Sequence, residues 1–351
     1  MTARLADIAA QAGVSEATVS RVLNGRPGVA DTTRQAVLTA LDVLGYERPS
    51  RLRPRSAGLV GLIVPELDNP IFPAFAQAME TSLARRGLTL VLCTQTPGGV
   101  HEDEYTRMLL DRGVSGIVYV SGLHADSSAD PERYRSLRAR GLRIVLVNGY
   151  LPGLRAPFVS NDDIVAMELA VGHLASLGHR RIGLAVGPRQ FVPVVRKMTG
   201  FIESVRRHVG TEDAGEWIES CMFTVEGGAL AADRLLRRGA TGIVCGSDLM
   251  ALGAIRAARS LGLAVPDDVS VVGSDDSLLI AFTDPPLTTV RQPIVAMAEA
   301  SVRALLDEPV DLVSSADESG GEYVFRPELV VRSSTARCVP YGGGRDGGDD
   351  T

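Results

Sequence analysis

The spacing of apolar residues changes near residue 60. Before it, Leu5, Ile8, Ala9 and Ala12 form one stripe at helical spacing, Val19, Val22 and Leu23 a second, and Val37, Leu41 and Leu44 a third. Three short amphipathic helices within residues 1–45 are predicted. Gly13 gives the backbone freedom for a sharp turn between the first two, with Val14 as the plug beneath it. Ser15 is placed to cap the second helix, because its hydroxyl can accept from an otherwise unpaired amide, and Asp31 to cap the third. With Val19, Val22 and Leu23 turned inward, Glu16, Ala17, Ser20 and Arg21 point outward.

Residues 46–60 (YERPSRLRPRSAGLV) are rich in arginine and proline and read as an exposed basic linker. Beyond them short apolar runs recur at Leu62–Val64, Leu88–Leu92, Gly116–Val120, Ile144–Val147, Ile182–Val186, Gly242–Cys245 and Val269–Val272. Amphipathic stretches such as Ala74–Arg86, Val165–Leu177 and Met250–Leu261 lie between them. Strands alternating with helices predict an α/β unit over 61–335, with parallel sheets covered on both faces. Two such blocks imply paired lobes, with the chain crossing near 160 and 290. Ligands in open α/β sheets bind at the carboxyl ends of strands, so a cleft between the lobes is expected there. The tail 336–351, with its GGGRDGGDD run, is expected to be disordered.

Charge sharpens this division. Residues 1–60 hold eight arginines and five carboxylates, a net of +3, which leaves −9 for the rest of a chain whose total is −6. A basic head on an acidic body suits a DNA-binding module joined to a sensor. The start MTARLADIAA lacks the apolar core of a secretory signal, and no run approaches the roughly 20 apolar residues of a membrane helix. The cytoplasm is therefore the expected location. Cys93, Cys221, Cys245 and Cys338 are scattered without C-x-x-C spacing, so neither a disulfide framework nor a zinc site is expected.

The segment Leu5-Ala-Asp-Ile-Ala-Ala-Gln-Ala-Gly-Val-Ser-Glu-Ala-Thr-Val-Ser-Arg-Val-Leu-Asn-Gly25 strongly resembles the N-terminus of the lactose-repressor family. Further matches follow in order: Ser247-Asp-Leu-Met-Ala-Leu-Gly-Ala254, Val265-Pro-Asp-Asp-Val-Ser-Val-Val-Gly273, and Pro285-Pro-Leu-Thr-Thr-Val290 with Gln292-Pro293. The resemblance covers nearly the whole chain. It implies a helix-turn-helix head, a periplasmic-binding-protein-like sensor, a homodimer or tetramer, and DNA affinity controlled by a sugar, nucleoside, purine or similar effector, a sugar being the leading expectation. The absence of a heptad-bearing tail favours the dimer.

A helix entering the major groove needs short side chains for close approach and a few that reach base edges. Ser15, Glu16, Ala17, Thr18, Ser20 and Arg21 meet that need. By resemblance, Glu16 and Ala17 occupy the positions that set operator preference, and Leu5, Asn24 and Thr33 match positions that touch DNA, chiefly its backbone. The linker departs from the family pattern. The Ala-Arg-x-Leu stretch of a hinge helix is missing and Pro54 interrupts a shortened segment, where a helix-interior proline costs about 3 kcal/mol. Either Leu52 or Leu59 wedges into the minor groove in another geometry, or Arg51, Arg53 and Arg55 bind phosphate and the narrow groove. The arginines are the favoured reading.

Polyhydroxyl ligands require carboxylates and amides for hydrogen bonds, a cation and an aromatic face. Strand-end positions offer Asn69, Ile71, Phe72, Asn148, Ser247, Asp248 and Asp275, and Phe223 matches an aromatic wall of the family. By resemblance, the family's effector-binding arginine stands three residues before a Gly-Phe pair; here that pair is Gly200-Phe201 and the residue is Lys197, with Arg196 beside it. Lysine lacks the planar fork of arginine. Asp248 also suits a helix cap, and Phe223 also suits the core. No cofactor is called for. As rival readings, an enzyme lacks support, since His173 and His179 are six apart and no G-x-S-x-G or GK[ST] run appears. A transport binding protein would carry a secretory signal in place of the basic head.

Overall fold

The computed structural model describes residues 5–24, 26, 28–44, 46, 58–95, 99–310 and 321–338, and divides the chain into two units, 1–57 and 58–351. In the first, helices α1 (Leu5–Ala12), α2 (Glu16–Leu23) and α3 (Asp31–Val43) bury Ile8, Val19, Val22, Val37 and Leu41 together. Gly13 adopts φ +65°, which lets the Val14 amide return to the Ala9 carbonyl at 3.1 Å. The Ser15 hydroxyl accepts from the Thr18 amide at 3.2 Å and caps α2. Asp31 is not a cap: Ala30 holds that position without a side-chain bond, and Asp31 is the first helical residue, where its charge faces the positive end of the helix dipole.

The second unit is built on two six-stranded sheets among the described residues. The first contains β1 (Leu59–Val64), β2 (Thr89–Thr94), β3 (Gly116–Val120), β4 (Ile144–Val147), β5 (Phe158–Asn161) and β11 (Glu322–Phe325), in the order β2-β1-β3-β4-β5-β11, all parallel. The second contains β6 (Ile182–Val186), β7 (Ile218–Ser220), β8 (Gly242–Cys245), β9 (Ser270–Asp275), β10 (Thr288–Arg291) and β12 (Glu328–Val330), in the order β7-β6-β8-β9-β10-β12, where only β12 runs antiparallel. Each sheet is doubly wound, its strand order reversing beside its first strand.

Helices cover both faces because the central strands are apolar on both sides. On the first sheet, α4 (Ile71–Ala84) packs with α11 (Ile294–Leu305) on one face, while α5 (Glu102–Asp111) and α6 (Glu132–Ala139) contribute Leu109, Tyr134 and Leu137 to the other. On the second sheet, α7 (Asp163–Ser176) pairs with α8 (Val192–His208), and α9 (Val225–Arg237) with α10 (Asp248–Ser260). The chain passes between the sheets at Asp162 and at Gln292–Pro293, and a third time at Arg326–Pro327 between β11 and β12, a crossing the apolar runs did not reveal.

Two boundaries differ from the sequence reading. Leu59 and Val60 pair with Thr89 and Leu90 in the sheet, so they are strand and not linker, and Leu59 is held by the sheet when considered as a groove wedge. Residues Arg51, Leu52, Arg53, Pro54 and Arg55 lie outside the described residues. At the other end, residues 336–338 are tied down: the Ala336 carbonyl accepts from His179 Nε2 at 3.1 Å and the Cys338 amide donates to Leu177 at 2.8 Å. Residues 339–351 lie outside the described residues.

Candidate functional site

In the head, Glu16, Ala17 and Arg21 are exposed on one face of α2, opposite buried Val19 and Val22. Ser15 and Thr18 are linked hydroxyl to hydroxyl at 2.9 Å, and Ser20 Oγ accepts from Asn24 Nδ2 at 3.3 Å. These hydroxyls stabilise the start and end of the helix as well as lying on its polar side. Leu5 is part-exposed at the start of α1, and Thr33 is half-buried in the first turn of α3. The helix thus offers a short-side-chain face with one long cation and one carboxylate, the composition that major-groove reading needs.

Between the two sheets of the second unit lies a cleft enclosing ≈ 610 Å³, its open mouth included. Strand ends from both sheets supply its wall. From the first sheet come Asn69, Ile71 and Phe72 beyond β1, Ser121 after β3, Asn148 after β4 and Asn161 at the end of β5. From the second come Phe191, Phe223 after β7, Gly246 and Ser247 after β8, and Asp275 at the end of β9. Asp163 and Gln292 enter at two of the crossings, and Lys197 and Pro193 from α8. Convergence at carboxyl ends follows from the topology, because parallel strands all deliver their loops to one edge.

The backbone is unusual where these loops begin. Ser121, Asn148 and Asp275 have φ of +47°, +62° and +116°, a region L-residues rarely occupy. Such conformations cost about 1–3 kcal/mol each and cluster at ligand sites, where they aim a side chain that a relaxed backbone would turn away. Asn148 Nδ2 lies 3.4 Å from Ser121 Oγ, and Asn69 Oδ1 accepts from the Ile71 amide at 3.3 Å at the start of α4.

Charge in the cleft is internally balanced. Lys197 Nζ is bound by Asp163 Oδ1, both side chains being buried. Asp275 is buried, and Gln292 donates to its Oδ1 at 2.7 Å. Burial, then the nearby Asp248 charge, holds the Asp275 carboxyl well above the usual range, against the opposing pull of Lys197 and Gln292. Phe223 is half-buried against the core of the second sheet while also facing the cleft, so both sequence readings of it describe the same ring. Gly187 makes room for it: a Cβ there would stand 2.0 Å from Phe223 Cε2.

Two expected members stand elsewhere. Arg196 is not in the cleft wall; it turns to Glu322 with a two-pronged pair at 2.7 and 2.9 Å, joining α8 to β11 across the two lobes. One helical residue rotates the side chain by about 100° away from Lys197, which accounts for the divergence. Asp248 lies behind the wall, where its oxygens accept from the Ser277 amide and the Thr289 hydroxyl, each at 2.7 Å. Ser247, not Asp248, caps α10, accepting from the Met250 amide at 3.2 Å. Burial foremost pushes the Asp248 carboxyl up to about 6.

The sequence reading missed Ser121, Ala125, Asn161, Asp163, Phe191, Pro193, Gly246 and Gln292. Gln292 was visible in the Gln-Pro motif without a role. Asn161 and Asp163 follow β5, whose Phe-Val-Ser-Asn is too short and polar to register as an apolar run. Phe191 and Ala125 reach the cleft wall beside a clasp between distant segments, in which Asp126 bridges to Phe191 and the Ser127 amide and hydroxyl both donate to the Gln190 carbonyl at 2.9 and 2.8 Å.

Comparison with known proteins agrees with this geometry. Residues 4–49 match the model of bacterial regulatory proteins of the lacI family, and residues 171–335 match a periplasmic binding protein-like domain. The chain is 64% identical over 340 residues to the HTH-type transcriptional regulator reg1 of Streptomyces lividans, covering 96% of this chain and 97% of that protein. This chain belongs to the lacI family of transcriptional regulators. Among solved structures it resembles the transcriptional regulator CelR in complex with cellobiose, at 31% identity, TM-score 0.67, and coverage of 95% of this chain and 100% of that one. It also resembles the lac repressor dimer bound to operator and an anti-inducer, at 26% identity, TM-score 0.65, and coverage of 96% and 100%.

Proposed function

We propose that this lacI-family regulator represses transcription as a homodimer, reading a near-palindromic DNA operator with α2 and releasing or engaging it when a sugar binds between the lobes. The observation that carries the sensor half is the cleft itself. Amides, hydroxyls and carboxylates from strand ends of both sheets face it together with the rings of Phe72, Phe191 and Phe223, the pairing of hydrogen-bonding groups with apolar faces that a pyranose or furanose requires. Asn69, Ile71, Asn148, Ser247, Asp275 and Lys197 are the proposed effector contacts beside those rings. The CelR complex with cellobiose supports a sugar.

For the head, the exposed face of α2 supports base reading by Glu16, Ala17 and Arg21, with Ser15, Thr18, Ser20, Asn24, Leu5 and Thr33 at or near the phosphates. For the dimer, Leu278, Leu279 and Phe282 are 83%, 71% and 82% exposed in one loop of the second unit, an apolar surface that a second copy would cover. No described helix is long and apolar enough to cross a membrane, and a regulator of operators would work in the cytoplasm without enzymatic turnover. The test pairs a thermal-shift screen of sugars and nucleosides with footprinting on the chain's own promoter. A stabilising sugar that also alters the footprint is expected, since a ligand at 100 times its Kd adds about 2.7 kcal/mol. A nucleoside as sole hit would overturn the sugar assignment, and equal binding to scrambled duplex would overturn the operator reading.

A further inference from the structure

We propose that Asn161, with the Asp163–Lys197 pair, forms a subsite that reads hydroxyl groups of an uncharged sugar and rejects its phosphate ester. The proposal rests on the sugar-controlled reading above and adds the class of sugar.

Asn161 lines the cleft at the end of β5, is 4% exposed, and its Oδ1 has no hydrogen-bond partner. A buried acceptor left unpaired costs free energy in the unliganded protein, and such groups are rare in folded chains. Its Nδ2 lies 3.4 Å from Asp163 Oδ1, the oxygen that also binds Lys197. The three side chains therefore form one short row across the first crossing between the sheets. What the row lacks is a donor for the Asn161 oxygen.

A sugar hydroxyl both donates and accepts. It can give its proton to Asn161 Oδ1 and take one from Lys197, whose ammonium carries three N–H groups. A phosphate dianion only accepts, so it leaves the Asn161 oxygen unpaired. Charge points the same way. Lys197 is the only cation in the described wall, and Asp163 already neutralises it, while Asp275 faces the same space and Arg196 is turned to Glu322. A dianion entering would leave water for a buried space in which no unpaired cation of the described wall offsets its charge, a desolvation cost that an uncharged sugar does not meet.

The test is calorimetric titration of the full-length protein with ribose, glucose and cellobiose, each against its terminal phosphate ester. At least one uncharged sugar is expected to bind, with its ester weaker by about 100-fold or more. Asn161→Leu and Asn161→Ala are then titrated with that sugar. Both should lose about tenfold or more in affinity, while the ligand-free melting temperature of the leucine variant stays level or rises because a buried unpaired oxygen is gone. One monodeoxy analogue should bind wild type and variants equally, marking the hydroxyl that Asn161 receives. A phosphate ester that binds as tightly as its parent sugar, or variants within about twofold of wild type, overturns the inference and leaves the sugar reading intact. Failure of every sugar and ester to bind would remove the sugar reading itself, and this inference with it.

Discussion

Gln292 donates from Nε2 to Oδ1 of Asp275 at 2.7 Å, tying the second crossing between the lobes to the end of β9. The bond holds a buried carboxyl at a backbone φ of +116°, so the acid is both strained and poorly solvated before any ligand arrives. Replacing it should separate stability from binding. Asp275→Asn is expected to lower sugar affinity about tenfold, as altering a buried hydrogen-bond partner of the ligand does. Its ligand-free stability should rise relative to wild type as pH increases, because the folded carboxyl sits above its unfolded value and disfavours the fold once ionised. Titration together with urea unfolding from acid to neutral pH checks both; unaltered affinity would remove Asp275 from the site.

Asp248 is expected to behave oppositely in binding. Asp248→Ala strands the buried Thr289 hydroxyl and the Ser277 amide, and should cost about 2–4 kcal/mol of stability with a small direct effect on ligand contacts. Its carboxyl is raised to about 6, so its favourable share is complete below the unfolded pKa of about 3.9 and is lost as pH rises through about 6. The stability difference between wild type and Asp248→Asn, followed by denaturant melts, should therefore drop across that window and then level off.

The Arg196–Glu322 pair predicts a structural role. Arg196→Gln and Glu322→Gln should each lower stability by about 1–2 kcal/mol, and the double variant should fall short of their sum, because one change already breaks the pair. Sugar affinity should stay within about threefold of wild type. A loss in Arg196→Gln matching that of a Lys197 variant would return the arginine to the ligand.

Gly187→Ala tests the aromatic wall from behind. The added methyl would collide with the Phe223 ring, 2.0 Å from Cε2 and 2.2 Å from Cζ, and the ring has the cleft as its free side. Overpacking of this kind costs about 1–3 kcal/mol, and sugar binding should fall more than stability. A variant that binds normally would mean the ring moves elsewhere.

On the head, Arg21→Ala is expected to cost about 1–3 kcal/mol of operator affinity and to relax preference at one base pair. Ser15→Ala removes the α2 cap at about 1 kcal/mol of head stability while leaving the base preference unchanged. Fluorescence anisotropy with single-substitution operators separates the two. A uniform loss across all sequences for Arg21→Ala would make it a phosphate contact.

Local pattern made the head and the central strands legible. The stripe of Ile8, Val19, Val22, Val37 and Leu41 and the Gly13 turn are set by residues a few positions apart. The same holds for the apolar runs that became β3, β4, β6 and β8. The edge strands β7, β11 and β12 stayed hidden, because three or four mixed residues carry no period of their own and take strand form only beside a neighbour.

For the cleft, sequence reached the strand ends. It named Asn69, Asn148, Lys197, Phe223 and Asp275 because each follows a strand or fills a family position. It could not decide between adjacent residues. Whether Arg196 or Lys197 faces the cleft depends on how α8 rotates against β11, and whether Ser247 or Asp248 reaches the wall depends on which of them meets Thr289. Nor could it join Asn161 to Lys197, 36 positions away, or Ser127 to Gln190. The order of the chain determines which residues arrive at strand ends. Which of them share one small volume is decided by how two sheets pack, a matter of distance in space that spacing along the chain does not carry.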